Sequence, residues 1–237
     1  MRVDPPTWLF FDCFNTRVDD FDVDGDTSGL GPLSHLPVES GFYPSEAEFR
    51  RDYQRWHEER WSGADWGEVA LDERLHRLLA RRDPARADEV GPLVHAMLGA
   101  FEKGYPDTLR PAPGVRDMLE AWRGRARLGV VSNFFLPGGP ARALAQFGLA
   151  EHFEFVLDSC RCGVKKPGRR IYEEALRLTG ASPEQVLFAG DDLRNDFEVP
   201  LSLGMRALHL DRSAERPTAR TRNGIESATH WDQFRPA

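Results

Sequence analysis

The sequence predicts an α/β protein built on a doubly wound parallel sheet, with an α-helical segment inserted after the first strand. Three observations carry this expectation. Trp8-Leu9-Phe10-Phe11 is a short apolar run that stops at Asp12, the pattern of a strand buried on both faces. From Pro111 onward, short apolar runs alternate with segments of helical periodicity. Residues 17–108, between these two regions, carry helical rather than strand patterning.

The chain has 237 residues, 41% hydrophobic and 29% charged, enough to bury a large core or a core with an inserted smaller domain. A net charge of -7 gives no support for binding nucleic acid or an anionic membrane. No apolar run approaches the roughly 20 residues of a spanning helix, and no signal-peptide core precedes Asp12. Three cysteines, Cys13, Cys160 and Cys162, form no disulfide framework and suit a reducing cytoplasm. Cys160-Arg161-Cys162 is too sparse for a metal site and reads as a structural loop. The only lysines are Lys103, Lys165 and Lys166, so a Lys-Lys pair in one loop stands out.

After the first strand, Asp20-Phe21-Asp22-Val23-Asp24-Gly25 imitates the opening of a calcium-binding EF-hand loop. The twelfth position, however, is Gly31 rather than a bidentate Glu, so the stretch reads as a solvated acidic loop. Ser45-Glu46-Ala47-Glu48 is a capping box, followed at helical spacing by Phe49, Tyr53 and Trp56. A second helix is expected from near Asp65, with Val69, Leu71, Leu75, Leu78 and Leu79 buried. A third carries Val94, Met97, Leu98 and Phe101 and is expected to end near Gly104. The aromatic residues here read as bundle core.

Pro113-Gly114 opens a helix with Val115, Met118, Leu119 and Trp122, and 127–131 is a strand ending in Ser132-Asn133. A helix begins near Pro140, a strand covers 153–157, and Gly163-Val164-Lys165-Lys166-Pro167 is a loop. Ile171, Ala175, Leu176 and Leu178 mark the next helix. Ser182-Pro183 turns the chain into the strand 186–189, which ends in Gly190-Asp191-Asp192-Leu193-Arg194-Asn195-Asp196. A helix to Leu203 and a strand over 206–210 complete the alternation. The tail is polar and Arg-rich, with Ile225, Trp231 and Phe234 as candidate anchors.

Side chains just past the carboxyl ends of parallel strands face the crevice where such sheets bind ligands. Three strand ends here carry groups able to converge: Asp12 with Thr16, Ser132 with Asn133, and Asp191 with Asp196, while a loop supplies Lys166. This order resembles the haloacid dehalogenase superfamily of hydrolases. Its four motifs correspond to Asp12-Cys13-Phe14-Asn15-Thr16, Val131-Ser132-Asn133, Lys166-Pro167 with Ile171-Tyr172, and the run from Gly190 to Asp196. The resemblance covers the whole chain. It implies a Rossmann-like core from residues 1–16 and 109–237, and a helical (C1-type) cap from residues 17–108.

The resemblance further implies that Asp12 is a nucleophile forming a covalent intermediate. Mg²⁺ would be held by Asp12, Asp191 and the backbone carbonyl at Phe14, with Asp196 as a further ligand or its support. Thr16, Ser132, Asn133 and Lys166 would hold the oxygens of the transferred group. Phe14 departs from the family's phosphatases, which usually place there a second Asp as general acid and base; losing such a catalyst forfeits about 10²–10⁴-fold in rate. Dehalogenases of the superfamily carry an aromatic residue at that position and also match at Tyr172. They are metal-independent, but they replace Asp191 with a neutral residue. Phosphonatases need a cap lysine, and no lysine lies between Arg17 and Glu102. Arg17 follows the nucleophile loop and stands either in the cleft or as a solvated arginine at the hinge.

The leading expectation is thus a Mg-dependent hydrolase acting on a small phosphorylated metabolite. The alternatives are a 2-haloacid dehalogenase-like hydrolase and a degenerate, non-catalytic binding module. A small-molecule substrate, no nucleic acid and no membrane are the expected partners.

Overall fold

A computed structural model describes residues 2–3, 6–16, 18–20, 30–61, 66–211, 220–222 and 225–236. In chain order the main elements are β1 (Trp8–Phe11), α1 (Glu46–Trp61), α2 (Leu71–Arg82), α3 (Ala87–Thr108), α4 (Val115–Trp122), β2 (Arg127–Ser132), α5 (Gly139–Gln146), β3 (Phe155–Asp158), α6 (Arg169–Thr179), β4 (Val186–Gly190), β5 (Arg206–Leu210), β6 (Arg220–Arg222) and β7 (Ile225–Ala228). They form two compact units: residues 1–19 with 110–237, and residues 20–109. Among the described residues, no helix is long and apolar enough to cross a membrane.

The first unit is an α/β sheet in the order β3-β2-β1-β4-β5-β7-β6. The first five strands are parallel, β7 joins β5 in parallel, and only β6 runs antiparallel. β1 lies in the middle, with Phe11 opposite Val130 on one side and Ala189 on the other. Its four residues are all buried, as the unbroken apolar run requires. One face packs Trp8 and Phe10 with Val131, Ile171, Tyr172 and Phe188. Gly129 lacks a side chain because the Phe155 ring occupies its place: a Cβ there would lie 2.0 Å from the ring.

The tail completes the other face. Phe11 meets Trp231 and Phe234 edge-on, and the indole N–H of the fully buried Trp122 donates to the Phe234 carbonyl. Truncating any of these rings to alanine costs about 3–5 kcal/mol. Two of the expected tail anchors are therefore core residues; the side chain of Ile225 lies outside those described.

The helical unit is held by apolar faces and one buried cation. The amide of Glu48 donates to Ser45 Oγ at 3.3 Å, the hydroxyl half of the expected capping box. Arg74, buried in α2, donates to the Val69 carbonyl (2.7 Å), Tyr53 Oη (3.0 Å) and Glu68 Oε1 (2.6 Å). These bonds explain why α2 begins at Leu71 rather than near Asp65. Residues before it are drawn into an extended approach, with Ala70 at φ -64°, ψ 154°. Likewise α3 does not stop near Gly104 but continues to Thr108. Gly104 sits inside the helix because Pro32 presses on it; a Cβ would meet Pro32 Cβ at 2.7 Å. Phe153 precedes its strand, since a short 3₁₀ turn, Ala150–His152, delays β3 to Phe155. Arg17, Asp65 and the part of the acidic stretch from 21 to 29 lie outside the described residues.

Candidate active site

The strand order reverses direction beside β1, so the carboxyl ends of β1, β2 and β4 form the crevice where an open α/β sheet places its ligand. Asp12 stands directly at the end of β1, its amide donating to the Ala189 carbonyl of β4 at 3.1 Å. The chain then folds into a tight loop: the Asn15 amide donates to Val18 O (2.8 Å) and the Val18 amide to Cys13 O (3.0 Å). That loop needs a residue in the left-handed region, and Asn15 takes it at φ 53°, which Asn tolerates better than most residues. The loop returns the Thr16 hydroxyl to Asp191, where it donates to Oδ1 at 2.7 Å. Trp231 fixes the loop from behind, its indole N–H donating to the Thr16 carbonyl at 2.7 Å. His209 Nε2 lies 2.9 Å from the Asp191 carbonyl and braces the other side.

Lys166 is the centre of charge. Its ammonium donates to Asp12 Oδ1 and Asp196 Oδ1, both at 2.7 Å, and its side chain is only 2% exposed. Asn133 holds the lysine's backbone from both sides, accepting from its amide at 2.7 Å and donating to its carbonyl at 3.0 Å. Asp196 reaches the lysine through a wide, π-type turn, Leu193–Glu198, whose amide at Asn195 is capped by Asp192 at 2.7 Å. Gly190 makes room for it: a Cβ there would lie 2.2 Å from Asp196 Oδ2. The Tyr172 hydroxyl donates to the Asn195 carbonyl and pins the turn from below.

Each of Asp12, Asp191 and Asp196 can offer one oxygen, and these oxygens lie within 4.8 Å of one another. Among the described residues, three carboxylates against one bonded ammonium leave an excess of negative charge. Burial pushes the Asp191 carboxyl up to about 6, helped by the charge of Asp12. Burial pushes Asp196 up further, to about 7; Lys166 opposes that shift, while Asp12 and Asp191 add to it. For Lys166, burial works against the ammonium, but the charges of Asp12 and Asp196 overrule it and hold the group above the ordinary lysine range. The lysine therefore stays charged and the acids give way. Burial also raises the Tyr172 phenol, which remains a donor.

The structure brings together Asp12, Thr16, Lys166, Asp191 and Asp196. Ser132, at the end of the neighbouring β2, is fully buried with its hydroxyl left without a hydrogen-bond partner. Asn133, expected to hold an oxygen of the transferred group, is bonded to the lysine backbone, and Tyr172, given by the same resemblance as a substrate-binding residue, is 0% exposed with its hydroxyl bonded to a carbonyl. Both brace a segment that carries a charged group. Phe14 is half-buried and stacks on Phe134 at 4.7 Å. Cys13 is buried beneath the loop, and Cys160 with Cys162 sits in a single helical turn, all three outside any disulfide. Sequence reasoning did not reach His209 or Phe134, and it read Trp231 only as a candidate tail anchor. Only the Phe-Phe pair directly after Ser132-Asn133 offered a signal.

A family model for haloacid dehalogenase-like hydrolases matches residues 9–200. The human haloacid dehalogenase-like hydrolase domain-containing protein 3 is 37% identical over 124 residues, 51% of this chain and 47% of that protein. The matched segment thus spans about half the length of that relative. The Escherichia coli pyrimidine 5'-nucleotidase YjjG is 26% identical over 206 residues, covering 86% of this chain and 85% of the nucleotidase. Among solved structures, 2-haloacid dehalogenase from Pseudomonas syringae superposes with a TM-score of 0.73 at 20% identity, over 97% of this chain and 96% of that one. That likeness is one of fold.

Proposed function

We propose that this chain, which belongs to the haloacid dehalogenase-like hydrolase family, is a magnesium-dependent phosphohydrolase acting on a small phosphorylated metabolite. The observation carrying this reading is the triad Asp12, Asp191 and Asp196, whose oxygens lie within 4.8 Å, with Lys166 the one ammonium bonded to them among the described residues. Few carboxylate oxygens beside a solvated crevice are the donor set magnesium takes. Burial first, and the neighbouring carboxylates after it, raise the carboxyl groups of Asp191 and Asp196, and a bound cation would favour their charged forms. Asp12, Asp191 and the Phe14 carbonyl would hold it, with Asp196 in support. When bound, its chemistry is to neutralise the repulsion between a phosphate dianion and the Asp12 carboxylate.

The chain's own residues supply the rest. Asp12 is the nucleophile: its carboxylate attacks phosphorus, forms an aspartyl phosphate and splits one substitution into two. Lys166 orients the carboxylate through its 2.7 Å bond and faces the charge developing on the phosphoryl oxygens. The unpartnered Ser132 hydroxyl supports a role as donor to one of those oxygens. Thr16 holds Asp191 in place. Relatives named as phosphatases, together with the Escherichia coli pyrimidine 5'-nucleotidase YjjG, agree with phosphoryl chemistry.

A second reading, a metal-independent 2-haloacid dehalogenase, is favoured by the phenyl ring of Phe14 beside Asp12 and by the superposition on such an enzyme. Against it stands Asp191, whose charge near Asp12 has no use without a cation. Phosphate and halide release across a substrate panel, with magnesium or with EDTA, separates the two. Phosphate release that EDTA abolishes supports the first reading. Halide release indifferent to EDTA replaces it with the second.

A further inference from the structure

We propose that Trp231 is a positioning residue of the active site, setting through the Thr16 carbonyl how the nucleophile loop meets Asp191. This deepens the magnesium-dependent phosphohydrolase reading and rests on it. Trp231 stands beyond residue 200, where the family match ends. A cation shared by Asp12 and Asp191 needs the two carboxylates at a fixed separation. Each backbone is tied at its own strand end: the Asp12 amide donates to Ala189 O at 3.1 Å, and His209 Nε2 lies 2.9 Å from the Asp191 carbonyl. Thr16 joins the two segments, its hydroxyl donating to Asp191 Oδ1 at 2.7 Å. The carbonyl of the same residue accepts from the Trp231 indole N–H, also at 2.7 Å. Thr16 is 0% exposed, so without the indole its carbonyl has no solvent to turn to. A buried carbonyl left without a donor is costly. The Thr16 peptide then turns toward another partner and carries its own hydroxyl away from Asp191.

The turn that bears Trp231 is a fixed support. Trp231–Gln233 is a 3₁₀ turn, and the Gln233 side chain accepts from the Thr229 amide at 3.0 Å. The chain on either side is tied down: Ala228 pairs with Leu210 of β5, and Arg235 and Pro236 pair in parallel with Arg2 and Val3. The indole is buried and meets Phe11 edge-on, with centroids 6.1 Å apart. Phe11 is the last residue of β1, so the ring rests on the strand that ends in Asp12 while its N–H holds the far end of the loop that follows. That loop contains Asn15 in the left-handed region at φ 53°, a conformation its surroundings must sustain. A phenyl ring in place of the indole would keep the contact with Phe11. The N–H alone separates positioning from packing.

The test is calorimetric titration of magnesium into wild type, Trp231→Phe, Thr16→Val and the double variant. Trp231→Phe should bind magnesium about two- to tenfold more weakly, the worth of one hydrogen bond. Thr16→Val, which cuts the link to Asp191, should weaken it by about 10–100-fold. In the Thr16→Val background, Trp231→Phe should change the affinity no further, because two residues acting along one path are not additive. A role in packing alone would lower the melt and leave the affinity where it was. By reciprocity the cation must also favour the bond. Magnesium should therefore slow hydrogen exchange of the Trp231 indole N–H in wild type, a measurement that needs no variant to fold. An affinity unmoved by Trp231→Phe, equal losses in both backgrounds, or indole exchange indifferent to bound magnesium overturns the positioning role and leaves the phosphohydrolase standing. Wild type that neither binds magnesium nor releases phosphate overturns both.

Discussion

Replacing Lys166 with Met keeps most of the side-chain volume and removes the one ammonium bonded to Asp12 and Asp196. Three carboxylates then share a site in which their oxygens lie within 4.8 Å, and each charged pair repels by roughly 3.5 kcal/mol at an effective dielectric of ~20. Three such repulsions exceed what the fold can carry, so the cluster takes up protons instead. The expected loss is that of a broken buried ion pair, about 3–5 kcal/mol at pH 8, or about 10 °C in the melt for a protein of this size. The sign of its pH dependence is fixed by the acids. In the wild type, burial already raises Asp191 to about 6 and Asp196 to about 7, above their unfolded values. A raised carboxyl favours the fold while protonated, and that contribution fades as pH climbs through 6 to 7. Without the lysine both rise further, since its charge lowers both. Thermal melts of the metal-free proteins at pH 5 and pH 8 measure this. The Lys166→Met deficit should be largest at pH 8 and clearly smaller at pH 5. An equal deficit at both would mean that lost packing, not charge, is what the substitution removes.

Other expected outcomes concern the same corner of the sheet. Asp191→Asn keeps an acceptor for Thr16 while deleting a charge, so the metal-free variant should melt above wild type at pH 8 and level with it at pH 5. Magnesium should raise the wild-type melt by binding the folded state, and that gain should shrink in this variant. Calorimetric titration of magnesium into wild type should show affinity falling as pH drops from 8 through 6, because protons compete at Asp196 and then Asp191. Gly190→Ala forces a methyl group to within 2.2 Å of Asp196 Oδ2. It should destabilise by about 1–3 kcal/mol and lower turnover, as read by denaturant melts and steady-state assay. Trp231→Phe keeps a ring against Phe11 but removes the donor to the Thr16 carbonyl, and should cost about 1–3 kcal/mol in the same melts.

The sequence by itself determined the sheet, its first strand and the residues at its carboxyl edge. A parallel strand buried on both faces must be continuously apolar, and Trp8-Leu9-Phe10-Phe11 ending in Asp12 admits few other readings. Asp12, Thr16, Lys166, Asp191 and Asp196 were legible because each stands at a fixed step from a strand end or in a marked loop, and strand order alone brings those ends together. What the sequence could not decide is which polar atoms are already engaged. The bonds of Asn133 to the backbone of Lys166 and of Tyr172 to the turn bearing Asp196 have no local signal, because buried polar groups take partners wherever the fold brings them. His209 has no local signal, and Trp231 reads only as an apolar anchor in a polar tail, with nothing to show which carbonyl it binds: the one is 18 residues from its bonding partner and the other 215. Gly104 read as a helix stop, and only the approach of Pro32 reveals it as a packing site. Local pattern fixes where the chain is apolar and where it turns. Contacts between residues far apart in the chain exist only once the strands have paired, so the tertiary structure alone settled the support behind Asp12 and the stacked phenyl rings beside it.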